Sequence, residues 1–316
     1  MGNAAQFTEF STLFQQVVNG LSLGSVYALI AVGYSLVYSI LSFSNFAHGG
    51  FLVVGGYICY GLFTGFELNV FSRHLLTVPA GSVWLAGLGA LGGAGIVAVL
   101  TERLAYKPIR ERTSMTLYLL IASMGVSIII ENIFVIAVGG RFRALPQSMF
   151  PSGLYNLGWG VTASSSDVLS LTCAVLFLGG LQFFLTQTRW GLAIRAAACD
   201  LRTAGLMGVN VSLLIAIVFF AAGLLAAVGG VFLSYRYTLY PQMGGITTKA
   251  FVAAVIGGLG SLPGAIVGSL ILGLAEMLTT GYVSSQMRDL VVYSLLVLML
   301  LVKPAGFFGK PVSDKI

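Results

Sequence analysis

Leu13-Phe-Gln-Gln-Val-Val-Asn-Gly-Leu-Ser-Leu-Gly-Ser-Val-Tyr-Ala-Leu-Ile-Ala-Val-Gly-Tyr-Ser-Leu-Val-Tyr-Ser-Ile-Leu-Ser-Phe43 contains no Lys or Arg, and none occurs before residue 73. About 20 mostly apolar residues suffice to cross a bilayer core about 30 Å thick. This stretch is too long for one straight span and reads as one long bent helix or a tight pair. Similar runs follow at Phe46–Phe63, Ala80–Leu100, Met115–Val138, Val168–Leu185, Leu213–Leu233, Phe251–Leu278 and Leu290–Val302. The chain is 57% hydrophobic and 8% charged, with a mean hydropathy of +0.96. A soluble domain carries about a quarter charged residues, so this one lacks the polar surface to cover itself in water. The expected fold is an all-α polytopic membrane protein, a single transmembrane domain over 1–316, with eight or nine membrane segments and no soluble module.

The connecting loops suggest a topology. Arg103, Lys107, Arg110 and Arg112 form one basic loop, Arg189, Arg195 and Arg202 a second, and Lys303, Lys310 and Lys315 a basic tail. Together these hold ten of the sixteen basic residues, and the positive-inside rule places them in the cytoplasm. The net charge of +6 therefore reports orientation rather than a nucleic-acid surface. Residues 1–11 are then expected outside, as is Arg141–Asp167, despite Arg141 and Arg143. The missing basic leader also argues against a cleaved secretory signal.

One segment breaks the parity. If Phe251–Leu278 crossed once, the basic tail would end outside. Its middle reads Gly257-Gly-Leu-Gly-Ser-Leu-Pro-Gly264. Proline removes an N–H and glycine weakens a helix interior, so two short helices joined near the cytoplasmic side are expected. Broken helices in membranes persist only where protein or a water-filled cavity satisfies the freed backbone groups, which points to a pathway or gate.

The remaining signals are weaker. The 41 glycines include Gly20-x-x-x-Gly24, Gly89-x-x-x-Gly93 and Gly264-x-x-x-Gly268, all explained by close helix packing. Asn19, Asn45, His48, Glu131, Asn132 and Glu276 are polar residues within apolar runs. Asn45-Phe-Ala-His-Gly-Gly50 opens a helix with small residues, and a helix start suits a carboxylate or carbonyl. The plainer reading, which caps of this kind favour, is that Asn45 caps the helix and His48 bonds a neighbouring helix. Glu131 and Glu276 read as residues that snorkel to an interface. In the loop about 187–212, Ala196–Ala204 reads as a short amphipathic helix with Asp200 and Arg202 exposed, stopped by Gly205 and Gly208. It is either a solvated loop helix or one that docks in a groove of another protein.

Cys59, Cys173 and Cys199 lack metal-ligand spacing and read as packing residues. Gly306-Phe-Phe-Gly-Lys310 is too short for a phosphate loop, and no H-E-x-x-H or G-x-S-x-G occurs. The chain is not expected to be an enzyme, to bind a metal, or to carry a cofactor.

Three stretches carry a resemblance. Val18-Asn-Gly-Leu-Ser-Leu-Gly-Ser-Val-Tyr-Ala-Leu-Ile-Ala-Val-Gly-Tyr-Ser-Leu-Val-Tyr38, followed by Asn45-Phe-Ala-His-Gly49, resembles the opening of branched-chain amino acid ABC permeases. Ala253-Ala-Val-Ile-Gly-Gly-Leu-Gly-Ser-Leu-Pro-Gly-Ala-Ile-Val-Gly268 resembles their second signature, and Lys303-Pro-Ala-Gly-Phe-Phe-Gly309 their C-terminal motif. The resemblance implies an importer subunit working by alternating access in the bacterial cytoplasmic membrane. It implies as partners a second related permease, two cytoplasmic ATPase subunits that use ATP and Mg, and an extracytoplasmic solute-binding protein. Ala196–Leu206 would then be the coupling helix, with Arg195, Ala197, Asp200, Leu201, Arg202, Ala204, Leu206 and Gly208 as its contact residues. The wider permease class has Glu-Ala-Ala there, whereas this chain has Arg195-Ala196-Ala197. Asn19, Asn45, His48, Gly49, Gly260, Ser261, Pro263 and Gly264 are the candidate pathway or gate residues. The family also carries urea, short amides and aromatic carboxylates, and no residue here reads out a side chain. A secondary transporter or channel is the rival class, though a buried acid–base relay is not apparent.

Overall fold

The computed structural model describes residues 2–70, 73–78, 80–113, 115–158 and 160–309, with side chains left aside at 2–10, 66–70 and 73–78. Lys310 and Lys315 of the basic tail lie outside the described residues. The first apolar stretch is one helix, α1 (Gly2–Leu41). At 1.5 Å per residue its 40 residues run to about 60 Å, well beyond a bilayer core. Next come α2 (His48–Thr64), an antiparallel hairpin β1 (Phe66–Val70) and β2 (Arg73–Val78), and α3 (Val83–Thr101). A π-helical turn, Glu102–Tyr106, joins α3 to α4 (Lys107–Arg112), and α5 (Thr116–Val138) follows. A second hairpin, β3 (Leu154–Gly158) and β4 (Val161–Ser164), precedes α6 (Ser165–Gln187).

The loop helices are α7 (Arg189–Cys199) and α8 (Leu201–Leu206). The long α9 (Val211–Tyr237) then leads to a 3-10 turn, Pro241–Ile246. After it come α10 (Thr247–Gly257), α11 (Leu262–Tyr282) and α12 (Arg288–Val302). Among the described residues, seven helical spans are long and apolar enough to cross a membrane. The 17-residue α2 is an eighth, and α10 is a ninth that is only half-length, in line with the expected eight or nine.

Small residues decide the packing. Added Cβ atoms at Gly20 and Gly24 would lie 2.9 Å from Leu274 Cα and Ser269 O, so α1 meets α11 backbone to backbone. Gly89 and Gly93 receive Leu62 and Ile58 of α2, and Gly55 and Gly230 hold α2 against α9. The first span is 94% buried, whereas those of α5, α6 and α12 are at most 17% buried. α1, α2, α9, α10 and α11 form the core; α5, α6 and α12 present their Leu, Ile, Val and Phe outward, as lipid-facing or partner-facing helices do.

Both hairpins lie at one end of the bundle: Gln15 bonds the backbone of Thr162 in both directions at 2.9 Å, and Arg143 bridges to Leu239 after α9. The basic loops lie at the other, joined where Arg103 donates to Ser212 Oγ at 2.7 Å. These are the hairpin end and the basic end below.

The broken segment solves the parity problem as expected, with one correction. The break lies at the basic end, where Gly260 abuts Tyr38 and Ser39 at the end of α1. The two helices are not both short: α10 has 11 residues and α11 has 21. The extended Thr238–Tyr240 and the 3-10 turn complete the crossing that α10 cannot make alone. Gly258 (φ 105°) and Gly260 (φ 85°) make the reversal, in a region closed to most side chains.

Candidate functional site

Two polar constructions lie within the apolar bundle, and a third lies at its basic end. The first is the α1–α2 junction. Asn45 is 2% exposed; its Oδ1 accepts from Tyr106 OH at 2.7 Å and from the Ala47 N–H at 3.2 Å. Asn45 therefore holds the turn before the helix, while the N-cap position itself belongs to Ala47. His48 is fully buried, its ring 4.6 Å from that of Tyr34 and lying over Gly33, where a Cβ would be 2.6 Å from Cε1. It packs in a space that glycine leaves in α1, with no hydrogen bond to a neighbouring helix side chain. Gly49 lets α2 meet the 3-10 turn before α10, its added Cβ only 2.8 Å from Gly244 O. Thr247 donates to the same carbonyl at 2.6 Å and accepts from Tyr34 at 3.2 Å. The α2 start and the α10 start thus share one packed junction.

The second is the half-helix α10 and its two ends. At its start, Lys249 Nζ lies 2.8 Å from Glu276 Oε1 and 2.6 Å from Asp289 Oδ1. Carboxylates near a helix N-terminus also complement its partial positive charge. Glu276 is 0% exposed, receives Tyr27 OH at 3.0 Å and lies 3.5 Å from Arg288. The expectation that Glu276 snorkels to an interface is corrected: it is held inside by two cations and a phenol, which repay its desolvation. Glu131 sits in mid-helix, half-buried, accepting from Ser127 at 3.3 Å and facing Gly244, so it does not snorkel either.

At the other end, α10 leaves carbonyls without intrahelical donors. Phe307 N–H donates to Ile256 O and Phe308 N–H to Gly257 O, both at 2.9 Å. Gly306 (φ 77°) and Gly309 allow this approach, with Gly258 Cα 2.5 Å from an added Gly306 Cβ. Ser261 caps α11 by accepting from Gly264 N–H at 3.2 Å. Gly264 and Gly268 lie against α10, whose Gly257 and Ala253 carbonyls would meet their Cβ atoms at 2.3 and 2.2 Å. The Gly-Pro signature and the Lys303–Gly309 motif therefore form one unit.

The third is the basic loop. Asp200 divides it into two helices, which corrects the single helix expected over 196–204. Its Oδ1 accepts from the N–H groups of Arg202 (2.9 Å) and Thr203 (3.2 Å), capping α8. Gly205 lies within α8, and Gly208 (φ 86°) alone makes the stop. Ala197 and Ala204 turn inward and are buried; Arg195, Asp200, Arg202, Leu206 and Gly208 are exposed, and Leu201 is intermediate. Leu206 and Met207 are 82% and 80% exposed, a protruding apolar tip.

The pathway candidates do not form one cluster. Asn19 lies towards the hairpin end, accepting from Gln15 Nε2 at 3.1 Å. Asn45, His48 and Gly49 make the buried junction; Gly260, Ser261, Pro263 and Gly264 are at the basic end. Pro263 is exposed and lines an apolar groove of about 430 Å³ with Ser25, Val32 and Leu178. Among the described residues no group of His, Cys, Asp and Glu side chains is arranged to hold a metal. Lys249 and Tyr106 were missed in the sequence because each depends on a partner on a distant segment; Glu102, paired with Arg103 and Arg110 nearby, was missed because it reads as one charge of a basic loop.

A multi-pass helical membrane protein built around a half-helix clamped at both ends is a recognisable class. Over residues 16–300 the chain matches the family described as "Branched-chain amino acid transport system / permease component", and it belongs to that family. It is 39% identical over 318 residues to "High-affinity branched-chain amino acid transport system permease protein LivH" of Escherichia coli (strain K12), covering 98% of this chain and 99% of that one. The permease protein BraD of Pseudomonas aeruginosa is 37% identical, covering 96% and 97%. A probable LivH of Methanocaldococcus jannaschii is 28% identical, covering 89% and 88%.

Proposed function

We propose that this chain is the membrane-spanning subunit of an ATP-driven importer for branched-chain amino acids. The observation that carries the reading is the 39% identity to LivH across 98% of the chain, spanning both the junction and the broken helix. In this reading the protein lies in the bacterial cytoplasmic membrane with its basic end in the cytoplasm. A second permease completes the pathway, a solute-binding protein delivers substrate at the hairpin end, and two ATPase subunits supply ATP and Mg chemistry. The exposed Leu206–Met207 tip and the Asp200 cap form the docking element, and closure of the ATPases displaces it. The clamped α10 and the Asn45–Gly49 junction are the parts that rearrange between inward and outward states. Each state must bind substrate differently for ATP to drive net import.

The test is uptake into proteoliposomes holding the purified complex with its binding protein, offered labelled leucine or urea. Leucine uptake requiring both ATP and the binding protein is expected. Urea uptake alone would shift the substrate while keeping the importer; uptake by this chain without any ATPase would make it a channel or secondary carrier.

A further inference from the structure

The π-helical turn between α3 and α4 carries both Tyr106, the donor to Asn45, and Arg103, the donor to Ser212. Its cause is local. Pro108 lacks an N–H, and in a regular helix its ring would crowd the carbonyl of Leu104. The chain widens by one residue instead, and Lys107 N–H bonds to Glu102 O, five positions back. Single π turns occur frequently at functional positions.

What the widened turn holds is specific. Glu102 is fully buried, 3.2 Å from Arg110 and 3.5 Å from Arg103, which anchors the turn. Arg103 then donates to Ser212 Oγ at 2.7 Å, in the first turn of α9 directly after the basic loop. Tyr106, 0% exposed between the rings of Phe43 and Phe219, donates to Asn45 Oδ1 at 2.7 Å. A buried phenol in an apolar wall needs a partner, and this one is the residue that shapes the entry to α2. One side chain of the turn thus grips the exit of the α7–α8 loop, and another grips the buried α1–α2 junction.

We propose that Arg103 and Tyr106 are positioning residues, linking movement of the α7–α8 loop to the Asn45–Gly49 junction and, through Gly49 and Gly244, to the start of α10. The use of this link for transport rests on the importer reading; its existence does not. Coupling through packed residues requires an element that both sites bias, and the anchored turn is that element.

The experiment is amide hydrogen exchange on the full chain in lipid nanodiscs. D200A removes the cap of α8 and frees the amides of 201–206. In the otherwise native chain it should also speed exchange at 43–50 by roughly fivefold, the size of a modest coupling energy. In Y106F or R103M backgrounds that added effect should vanish, while R103K, which keeps a donor for Ser212, should retain it. A merely structural Tyr106 would raise exchange at 43–50 by the same factor whatever stands at 200. Equal effects of D200A in native, Y106F and R103M chains, or no effect at 43–50 in the native chain, would overturn the link. Uptake by the native complex decides the importer reading separately, so the two can fail independently.

Discussion

At the scale of single residues, the Lys249–Glu276 pair shows how charge enters an apolar bundle. Glu276 is wholly buried and Lys249 is 16% exposed, so neither is fully solvated without the other. K249M leaves Glu276 with Arg288 and Tyr27 only, and should cost about 3 kcal/mol, read as a lower midpoint on titration with SDS. The double variant K249M/E276L should be more stable than K249M; if the two effects simply add, the pair is not coupled. The glycines give a matched contrast. G268A must push a methyl to 2.2 Å from Ala253 O and should cost about 1–3 kcal/mol, whereas G245A meets open space and should be neutral or slightly stabilising. Glu276 was legible as a polar residue in an apolar run, but not as an ion-pair partner. Lys249 lies 27 positions earlier, across the break, and no spacing rule joins residues that only the reversal at Gly258–Gly260 brings together.

At the scale of elements, α10 is too short to be stable through its own hydrogen bonds, and both its ends are fixed from outside. Lys249 ties its start to α11 and α12; Phe307 and Phe308 close its end. F307P removes the donor to Ile256 O, and exchange of the α10 amides should rise, with little change in α9. If α10 exchanges as slowly as before, the tail does not hold it. The Gly-Pro octet announced the break, because glycine and proline act locally, and the charge of the loops gave the end of the bundle at which it lies. The cap by residues 307–308 was invisible, since backbone donors leave no mark in side-chain chemistry. Asp200 was read as an exposed residue of a single helix for a related reason: it is polar in either role, and only the backbone angle shows that it divides two helices.

For the molecule as a whole, apolar run lengths and loop charge gave the spans and their parity. They did not show which helices are central. α1 and α12 are equally apolar, yet one is nearly all buried and the other mostly exposed. Lipid and protein interior are alike to an apolar side chain, so only the small residues on α1 mark it as a packed helix. The proposed orientation has a native probe, because Cys199 is exposed on the basic loop while Cys59 is buried. A membrane-impermeant maleimide should label Cys199 in inside-out vesicles and leave it untouched in intact cells. Labelling from the outside would reverse the topology. Deleting Ala196–Leu206 should abolish ATP-driven uptake while the spans still insert, as judged by limited proteolysis; undiminished uptake would remove the docking role from this loop.

The seal on α10 also sets an order of manufacture. Residues 306–308 leave the ribosome after every span from α1 to α12 has been handed to the insertion machinery, yet they finish a helix begun some sixty residues earlier. Until then the newborn bundle carries bare carbonyls at the foot of its half-helix. A message cut short within this region would yield a product with all its spans and an unfinished half-helix, a defect that membrane proteases could sense by its fraying. The closing turn is thus always made after the helix that it closes.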